Sequence, residues 1–238
     1  MKIPEFKIRT DLALEEREGL KEAAEEVSGV SFKKWEGKRS AAQITEVKVL
    51  NEHGAKALGK PMGSYLTLEA DKLLMPDEDF HSEVSDELAL LLKGLLKQKT
   101  GKNILVAGLG NQSVTPDSLG PRTVSNLCVS AEGLKAIAPG VMAQTGMETA
   151  RILLGIKEVQ PDLVIAIDAL AARSIRRLGT TIQLTDTGIH PGSGVGNHRH
   201  SLTKETLGIP VLAIGVPTVV GAAAIVHDTI SALLGVLS

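Results

Sequence analysis

The first hundred residues alternate between helical and strand-like patterns of apolar positions. Residues 12–27 place apolar side chains on one side of an acidic helix, with Thr10 or Asp11 as its N-cap. Residues 42–50 alternate as a half-buried strand does, residues 51–54 predict a turn after them, and residues 63–69 predict another short strand. Residues 81–98 predict a second helix. Residues 1–100 are therefore expected to form helical and strand elements that flank a core.

From residue 103 onward, continuous apolar runs alternate with helical stretches. Residues 103–108, 163–167 and 209–215 predict buried strands, the second ending at Asp168, while the more polar residues 180–184 predict an edge strand. Helices are predicted near residues 119–130 and 146–157. Strands that alternate with helices are typical of α/β proteins. We expect one α/β domain over residues 1–238, with an open, mostly parallel twisted sheet and helices on both faces.

Composition narrows the class of protein. Apolar residues make up 43% of the chain but aromatic residues only 2%, which favours a core of small aliphatic side chains. The net charge of -2 gives no basic surface for direct binding of nucleic acid. Cys128 is the single cysteine, so an intrachain disulfide is excluded, and we expect its thiol to be packed inside.

Residues 211–226 are apolar but interrupted by Gly215 and Pro217, which favours a strand, a turn and a buried helix over a membrane span. We expect a cytoplasmic protein.

Ligands of open α/β sheets bind at the carboxyl ends of the strands, and here four loops leave that edge: 108–121, 165–174, 186–197 and 215–218. Asp117 lies in the first and Asp168 in the second. Each could instead be the N-cap of a following helix. Together they fit acid–base chemistry, because an ionised carboxylate can activate water while a protonated one donates to a leaving amine. We expect Asp117 and Asp168 to form the catalytic pair.

Other features of these loops have competing interpretations. The glycine-rich loop could expose N–H groups to an anion or a peptide backbone, or could be a surface turn. His190, His198 and His200 could bind a metal with Asp186, but their spacing favours surface histidines. Arg173, Arg176 and Arg177 fit a solvated helix face, although Arg173, one turn after Asp168, could pair with a catalytic acid. Gly108 and Gly110 match the dinucleotide-binding fingerprint only weakly, since its third glycine is missing. No metal or other cofactor is expected.

Several segments, spread over nearly the whole chain, carry a recognisable pattern. They are residues 9–13, 108–111, 114–121, 138–142, 144–146, 148–149, 161–174, 186–189, 191–197, 205–210 and 214–220. Together these segments resemble the germination protease family, the endopeptidases of spore-forming bacteria.

The resemblance implies a fold related to the hydrogenase-maturation peptidases. It implies an endopeptidase of the spore core that degrades small acid-soluble, DNA-binding proteins by an atypical aspartic mechanism, with Asp117 and Asp168 at the positions of the two essential acids. It also implies a homotetramer, for which edge strands near residues 42–68 are contacts, and a precursor that trims its own N-terminus; Glu5-Phe6 is the expected processing site. The residues expected to bind substrate or support the pair are Asn111, Thr115, Arg173, Asp186, Gly192, Gly194, Asn197, Pro217 and Thr218.

The chain departs from the family pattern in places. Ala143 replaces a usual glycine, Gly221 stands where an acid is common, and family members usually continue further beyond Val220. Two alternatives remain open. One is a metal-dependent maturation peptidase of the same fold that uses Asp117, Asp168 and a histidine as ligands; the other is a non-catalytic relative that keeps the cleft to bind peptide.

Overall fold

The computed structural model describes residues 10–22, 27–96, 103–128, 133–140, 152, 155–190 and 201–237. Eight strands form one sheet: β1 (Val30–Glu36), β2 (Gln43–Val49), β3 (Gly63–Glu69), β4 (Ile104–Gly108), β5 (Leu134–Ile137), β6 (Leu163–Ala172), β7 (Thr181–Thr185) and β8 (Val211–Val220). The helices are α1 (Ala13–Glu22), α2 (Glu52–Leu58), α3 (Glu78–Leu95), α4 (Leu119–Asn126), α5 (Lys204–Leu207) and α6 (Ala222–Leu237), and residues 155–159 are also helical. The chain is thus an α/β protein.

The sheet is mixed, so the prediction of a mostly parallel sheet is wrong. The strand order is β1-β2-β3-β7-β8-β6-β4-β5. The pairs β5–β4, β4–β6 and β6–β8 are parallel, whereas β8–β7, β7–β3, β3–β2 and β2–β1 are antiparallel. The short connection between β1 and β2, residues 37–42, allows only an antiparallel pair, because a parallel pair needs a long crossover. Strand β8 joins the two halves.

Edge positions also differ from the prediction. Residues 180–184 were expected at an edge, but β7 lies between β3 and β8. Its polar side chains are used inside the protein, since Gln183 accepts a hydrogen bond from the Ala13 backbone N–H at 2.8 Å. Strands β2 and β3, which cover the residues 42–68 expected at edges, are internal as well; β1 and β5 are the outer strands.

Helices cover both faces of the sheet, as predicted. On β2, Ile44 and Val47 point to opposite faces because side chains alternate along a strand. Ile44 packs in a cluster with Phe80 and Val84 of α3. Val47 packs with Leu58 of α2 and with Ala13 of α1. In the parallel half, Leu105 and Val164 face a further cluster that includes Ile152, while Gly108 lies against α4 on the other face.

Strand and helix bounds differ from the predictions at several places. Strand β6 continues through Asp168 to Ala172, and β8 reaches Val220 before α6 begins, so the turn expected near Pro217 is part of a strand. Strands β1 and β5 were not predicted. The segment expected as a turn at residues 51–54 begins α2, because the Asn51 side chain accepts from the Gly54 backbone N–H and caps the helix.

Candidate active site

The loop that follows β4 folds back so that Asp117 meets the start of that loop. Residues Thr115–Asp117 form a 3₁₀ turn directly before α4. The Asn111 backbone N–H donates to Oδ2 and to the carbonyl oxygen of Asp117, at 2.9 Å each. Gly110 has a φ of 113°, and a Cβ there would lie 2.0 Å from the Asp117 carbonyl oxygen. Only glycine therefore allows this approach, which fixes the half-buried Asp117 carboxylate.

The Asp117 turn contacts both β6 and β8. Thr218 of β8 donates its hydroxyl to the Pro116 carbonyl oxygen at 2.6 Å. The Leu109 backbone N–H donates to the Ile167 carbonyl oxygen at 2.8 Å, which extends the pairing of β4 with β6 up to the residue before Asp168. A Cβ on Gly120 of α4 would lie 2.6 Å from that same carbonyl oxygen. The turn and the start of α4 are thus held against the segment of β6 that carries Asp168.

Asp168 lies within β6, not at its end. The pairing of β6 with β4 ends at Ile167, so Asp168 is the first residue of β6 without a partner residue on β4. On the other side of β6, Asp168 pairs with Gly215 of β8. Its exposed fraction is 8%, and its Oδ1 accepts from the Ala169 backbone N–H at 2.9 Å. No helix follows it directly, so the interpretation of Asp168 as an N-cap is wrong. A buried acid inside a strand is costly unless it is hydrogen-bonded or paired.

A second buried acid fixes the segment after β6. The Glu15 side chain in α1 is 1% exposed and accepts from the backbone N–H groups of Arg173, at 2.6 Å, and Ser174, at 3.0 Å. Arg177 lies 3.4 Å from it and binds Glu18 at 2.8 Å and Glu69 at 3.2 Å. Burial acts to lower the pKa of Arg177. This effect is outweighed by the hydrogen bond and charge of Glu18 and by the charges of Glu69 and Glu15, so the pKa lies above its ordinary value. Arg177 is a buried ion-pair partner, so its interpretation as part of a solvated helix face is wrong.

The N-terminal segment docks on the same end of the sheet. The Asp11 backbone N–H donates to the Ala171 carbonyl oxygen at 2.9 Å, and the Asp11 carboxylate accepts from the Ala171 N–H at 2.8 Å. Lys60 donates to the Asp11 carbonyl oxygen at 2.9 Å. Burial lowers the pKa of Lys60, although the charges of Asp11, Glu16 and Glu15 act in the opposite direction. Asp11 therefore ties residues 10–12 to β6 a few positions past Asp168.

The other predicted site residues lie in different surroundings. The guanidinium of Arg173 lies against Gly19 of α1. Arg173 was expected one helical turn after Asp168, but residues 163–172 form an extended strand, so the two residues are farther apart than one helical turn. Asp186 accepts from the Ser64 backbone N–H at 2.8 Å and so fixes the start of β3. Asn111, Thr115, Pro217 and Thr218 belong to the Asp117 turn and to the part of β8 that borders it. The residues outside the described part of the chain are Glu5, Phe6, Gly192, Gly194, Asn197, His198 and His200.

A groove of about 550 Å³ runs along α4 from the Asp117 turn. Sequence reasoning did not find it, although α4 was predicted to follow Asp117 directly. Its lining residues are Thr115, Ser118, Leu119, Arg122, Thr123, Asn126, Leu127 and Thr218. Cys128 follows the groove and is exposed, so the prediction of a packed thiol is wrong. The groove thus borders the turn that carries Asp117.

The described residues contain no group of three or more His, Cys, Asp or Glu side chains arranged to hold a metal ion. They also contain no helix with the length and apolarity needed to cross a membrane.

Comparison with known proteins identifies the family. The model of the germination protease family, Peptidase_A25, matches residues 8–238. The germination protease of Caldanaerobacter subterraneus is 52% identical over 97% of this chain and 75% of its own length. Those of Oceanobacillus iheyensis and Clostridium tetani are 46% and 42% identical, over 96% and 95% of this chain and 68% and 75% of their own lengths. The chain belongs to the germination protease family.

Proposed function

We propose that this protease is an endopeptidase that hydrolyses small acid-soluble, DNA-binding spore proteins with Asp117 and Asp168 as an acid–base pair. The observation that carries the proposal is that two hydrogen bonds hold the Asp117 turn near Asp168. One joins Leu109 to Ile167 of β6, and the other joins Thr218 of β8 to Pro116 of the turn. Both carboxylates are held by backbone N–H groups, and one is buried while the other is half-exposed.

The proposed reaction needs one ionised and one protonated carboxyl group. The ionised carboxylate takes a proton from water as the water oxygen attacks the carbonyl carbon of the peptide. The protonated partner then gives its proton to the amide nitrogen as the C–N bond breaks, which leaves a carboxylic acid and an amine. The two roles are proposed for the pair, and neither residue is assigned one role alone.

Further properties are proposed from the family. The fold is related to the hydrogenase-maturation peptidases, the protein acts in the spore core, and it assembles as a homo-oligomer, with a homotetramer as the expected form. A precursor form trims its own N-terminus at Glu5-Phe6. N-terminal sequencing of fully active protein tests the last point, because an intact N-terminus on that protein would exclude processing.

The direct test is incubation with an unfolded, glutamate-rich protein of the spore type, with every cleavage mapped by mass spectrometry. We expect few, defined internal cuts that Asp117→Asn and Asp168→Asn each abolish. Addition of a chelator tests the metal-dependent alternative. Loss of activity that returns with added zinc or nickel would favour that alternative. Binding without any cleavage would favour the non-catalytic alternative.

A further inference from the structure

We propose that Asp11 is a positioning residue for the acid pair: it fixes the end of β6 and thereby the direction of the Asp168 carboxylate. This inference rests on the proposed function, because it takes Asp168 as one member of the pair. Asp11 reaches β6 from a segment that is 160 residues away from its partner Ala171 in sequence. It acts through the strand and does not itself touch the reacting atoms.

Asp168 lies between two attachment points on the same side of β6. The pairing of β6 with β4 ends at Ile167, whose carbonyl oxygen accepts from the Leu109 backbone N–H at 2.8 Å. Four residues later, Asp11 binds both the backbone N–H and the carbonyl oxygen of Ala171, at 2.8 and 2.9 Å. Residues an even number of positions apart send their backbone groups to the same side of a strand, so Asp11 occupies the side that β4 leaves. On the other side, β8 pairs with β6 to the end of that strand.

The backbone between these two points sets the direction of the Asp168 carboxylate. Its Oδ1 accepts from the Ala169 backbone N–H at 2.9 Å, and Ala169 lies midway between the two attachment points. A change in the twist of this short segment would therefore turn the Ala169 N–H and move the carboxylate with it. Residues 169–171 are half-buried, whereas the strand before them is mostly buried, so side-chain packing restrains them less. Asp11 supplies the restraint that packing does not.

Asp11 can hold β6 because two other elements hold Asp11. Its carbonyl oxygen accepts from the Lys60 ammonium at 2.9 Å and from the Gln183 side-chain amide at 3.3 Å. The same Gln183 side chain accepts from the Ala13 backbone N–H at 2.8 Å. One side chain of β7 therefore binds both ends of residues 11–13.

Gln183 also lies in the same cross-strand row of the sheet as Asp168. Gln183 pairs with Gly215 of β8, and Gly215 pairs with Asp168 of β6. Residues paired in register point to the same face of a sheet, and neighbouring strands lie roughly 5 Å apart, so Gln183 is about 10 Å from Asp168. Residues 11–13 therefore connect β6 with β7, the two neighbours of β8, close to Asp168.

The test compares Asp11→Ala with Asp11→Asn in steady-state kinetics on one mapped peptide. Alanine removes the acceptor for the Ala171 N–H, whereas asparagine keeps a side-chain oxygen at the same place. A small displacement of a catalytic group has a large effect on the chemical step, so for Asp11→Ala we expect kcat to fall about 10- to 100-fold while KM stays within about twofold. Asp11→Asn should recover most of kcat.

Asp77→Ala is the matched control. Asp77 accepts from the Phe80 backbone N–H at 3.0 Å and caps α3, so this change also removes a bond between a carboxylate and a backbone N–H. It should lower the free energy of unfolding but leave kcat unchanged. Gln183→Met tests the inference without any change at Asp11 or β6, because it releases Asp11 from β7. We expect it to lower kcat about three- to tenfold.

Hydrogen–deuterium exchange separates this inference from the proposed function, because it needs no hydrolysis. In Asp11→Ala we expect faster exchange of the backbone amides of residues 168–171, and in Asp77→Ala no change there. Unchanged kcat in Asp11→Ala, an equal fall of kcat in Asp77→Ala, or unchanged exchange of residues 168–171 would each overturn the inference. If the unaltered protein cuts no peptide, the proposed function fails, and the exchange result alone decides whether Asp11 holds the segment that carries Asp168.

Discussion

Thr218 is the residue that joins the Asp117 turn to the parallel half of the sheet, through its hydrogen bond to the Pro116 carbonyl oxygen. Thr218→Val keeps the shape of the side chain but removes the donor. We expect kcat/KM to fall about three- to tenfold, since one hydrogen bond contributes about 1 kcal/mol and its loss lets the turn move. Thr218→Ser, which retains the hydroxyl, should retain most of the activity. Full activity in Thr218→Val, or an equal loss in Thr218→Ser, would show that the hydroxyl group is not what holds the turn.

Tyr65 gives a pH dependence that can be measured on the folded protein. Its ring is 3% exposed and its hydroxyl donates to the Pro61 carbonyl oxygen at 2.9 Å. Burial raises the pKa of Tyr65 from 10.0 to about 12, opposed by the hydrogen bond with Thr187 and reinforced by the charge of Asp186. The folded state thus holds the phenol proton more tightly than the unfolded state. This contribution to stability is complete below pH 10 and is lost as the pH rises toward 12.

We therefore expect the free energy of unfolding of the unaltered protein to fall between pH 10 and pH 12 by about 2 kcal/mol more than that of Tyr65→Phe. Phenylalanine has no proton to lose, so it removes this term, and at neutral pH it should cost about 1 kcal/mol for the lost hydrogen bond. Urea unfolding of both proteins at several pH values measures the difference. Parallel pH curves for the two proteins would contradict it.

At the scale of elements, α1 is attached to the end of β6 through Glu15. Its carboxylate binds the backbone N–H groups of Arg173 and Ser174 and lies beside Arg177. Glu15→Ala should lower the free energy of unfolding by about 3 kcal/mol, because removing one member of a buried ionic network leaves the others unpaired. Glu83→Ala, an exposed glutamate of α3, is the matched control and should change it by less than about 0.5 kcal/mol. Similar effects of the two changes in urea unfolding would show that Glu15 is not a structural tie.

The elements show how far local pattern determines the fold. Residues 43–49 alternate clearly, and this strand was predicted because a period of two indicates a strand. Strand β6 was predicted only up to Asp168, since its remaining residues become strand through pairing with β8, which is distant in sequence. Strand β7 was taken for an edge because it is polar, but Gln183 binds the backbone of Asp11 and Ala13. Long-range hydrogen bonding, which a local pattern does not contain, accounts for these differences.

The candidate site shows the same limit. Asp117 and Asp168 could be selected from the sequence because each follows or interrupts a buried apolar run. The groove along α4 could not, since α4 mixes polar and apolar residues and only its packing against β4 and β6 decides which of them line a cavity. Glu15 could not be singled out from the sequence either, because it is one of several acidic residues in α1.

At the scale of the whole molecule, α6 is apolar yet largely exposed. Val226, Ile230 and Leu233 expose 58%, 52% and 56% of their surface and lie along one side of the helix. A helix that is apolar on most sides normally lies in a core or an interface. The homo-oligomer proposed above would cover this surface.

Replacement of Val226, Ile230 and Leu233 together by glutamate should therefore weaken self-association without unfolding the chain. Sedimentation velocity over a range of concentrations measures the change, and circular dichroism checks the fold. Ala232→Glu, at an exposed position outside this side of the helix, should leave association unchanged. An unaltered protein that remains monomeric at every concentration, or a triple variant that associates as before, would contradict the expectation.

The acid pair is tested most directly by a double-mutant cycle with Asp117→Asn, Asp168→Asn and the two changes combined, measured as kcat/KM on one mapped peptide. If the two carboxyl groups act on one water molecule, each single change should lower the rate about 10²- to 10⁴-fold, and the combined change should lower it little further. Losses that multiply in the double variant, or a single variant that keeps most of its activity, would show that the two aspartates do not form one catalytic unit.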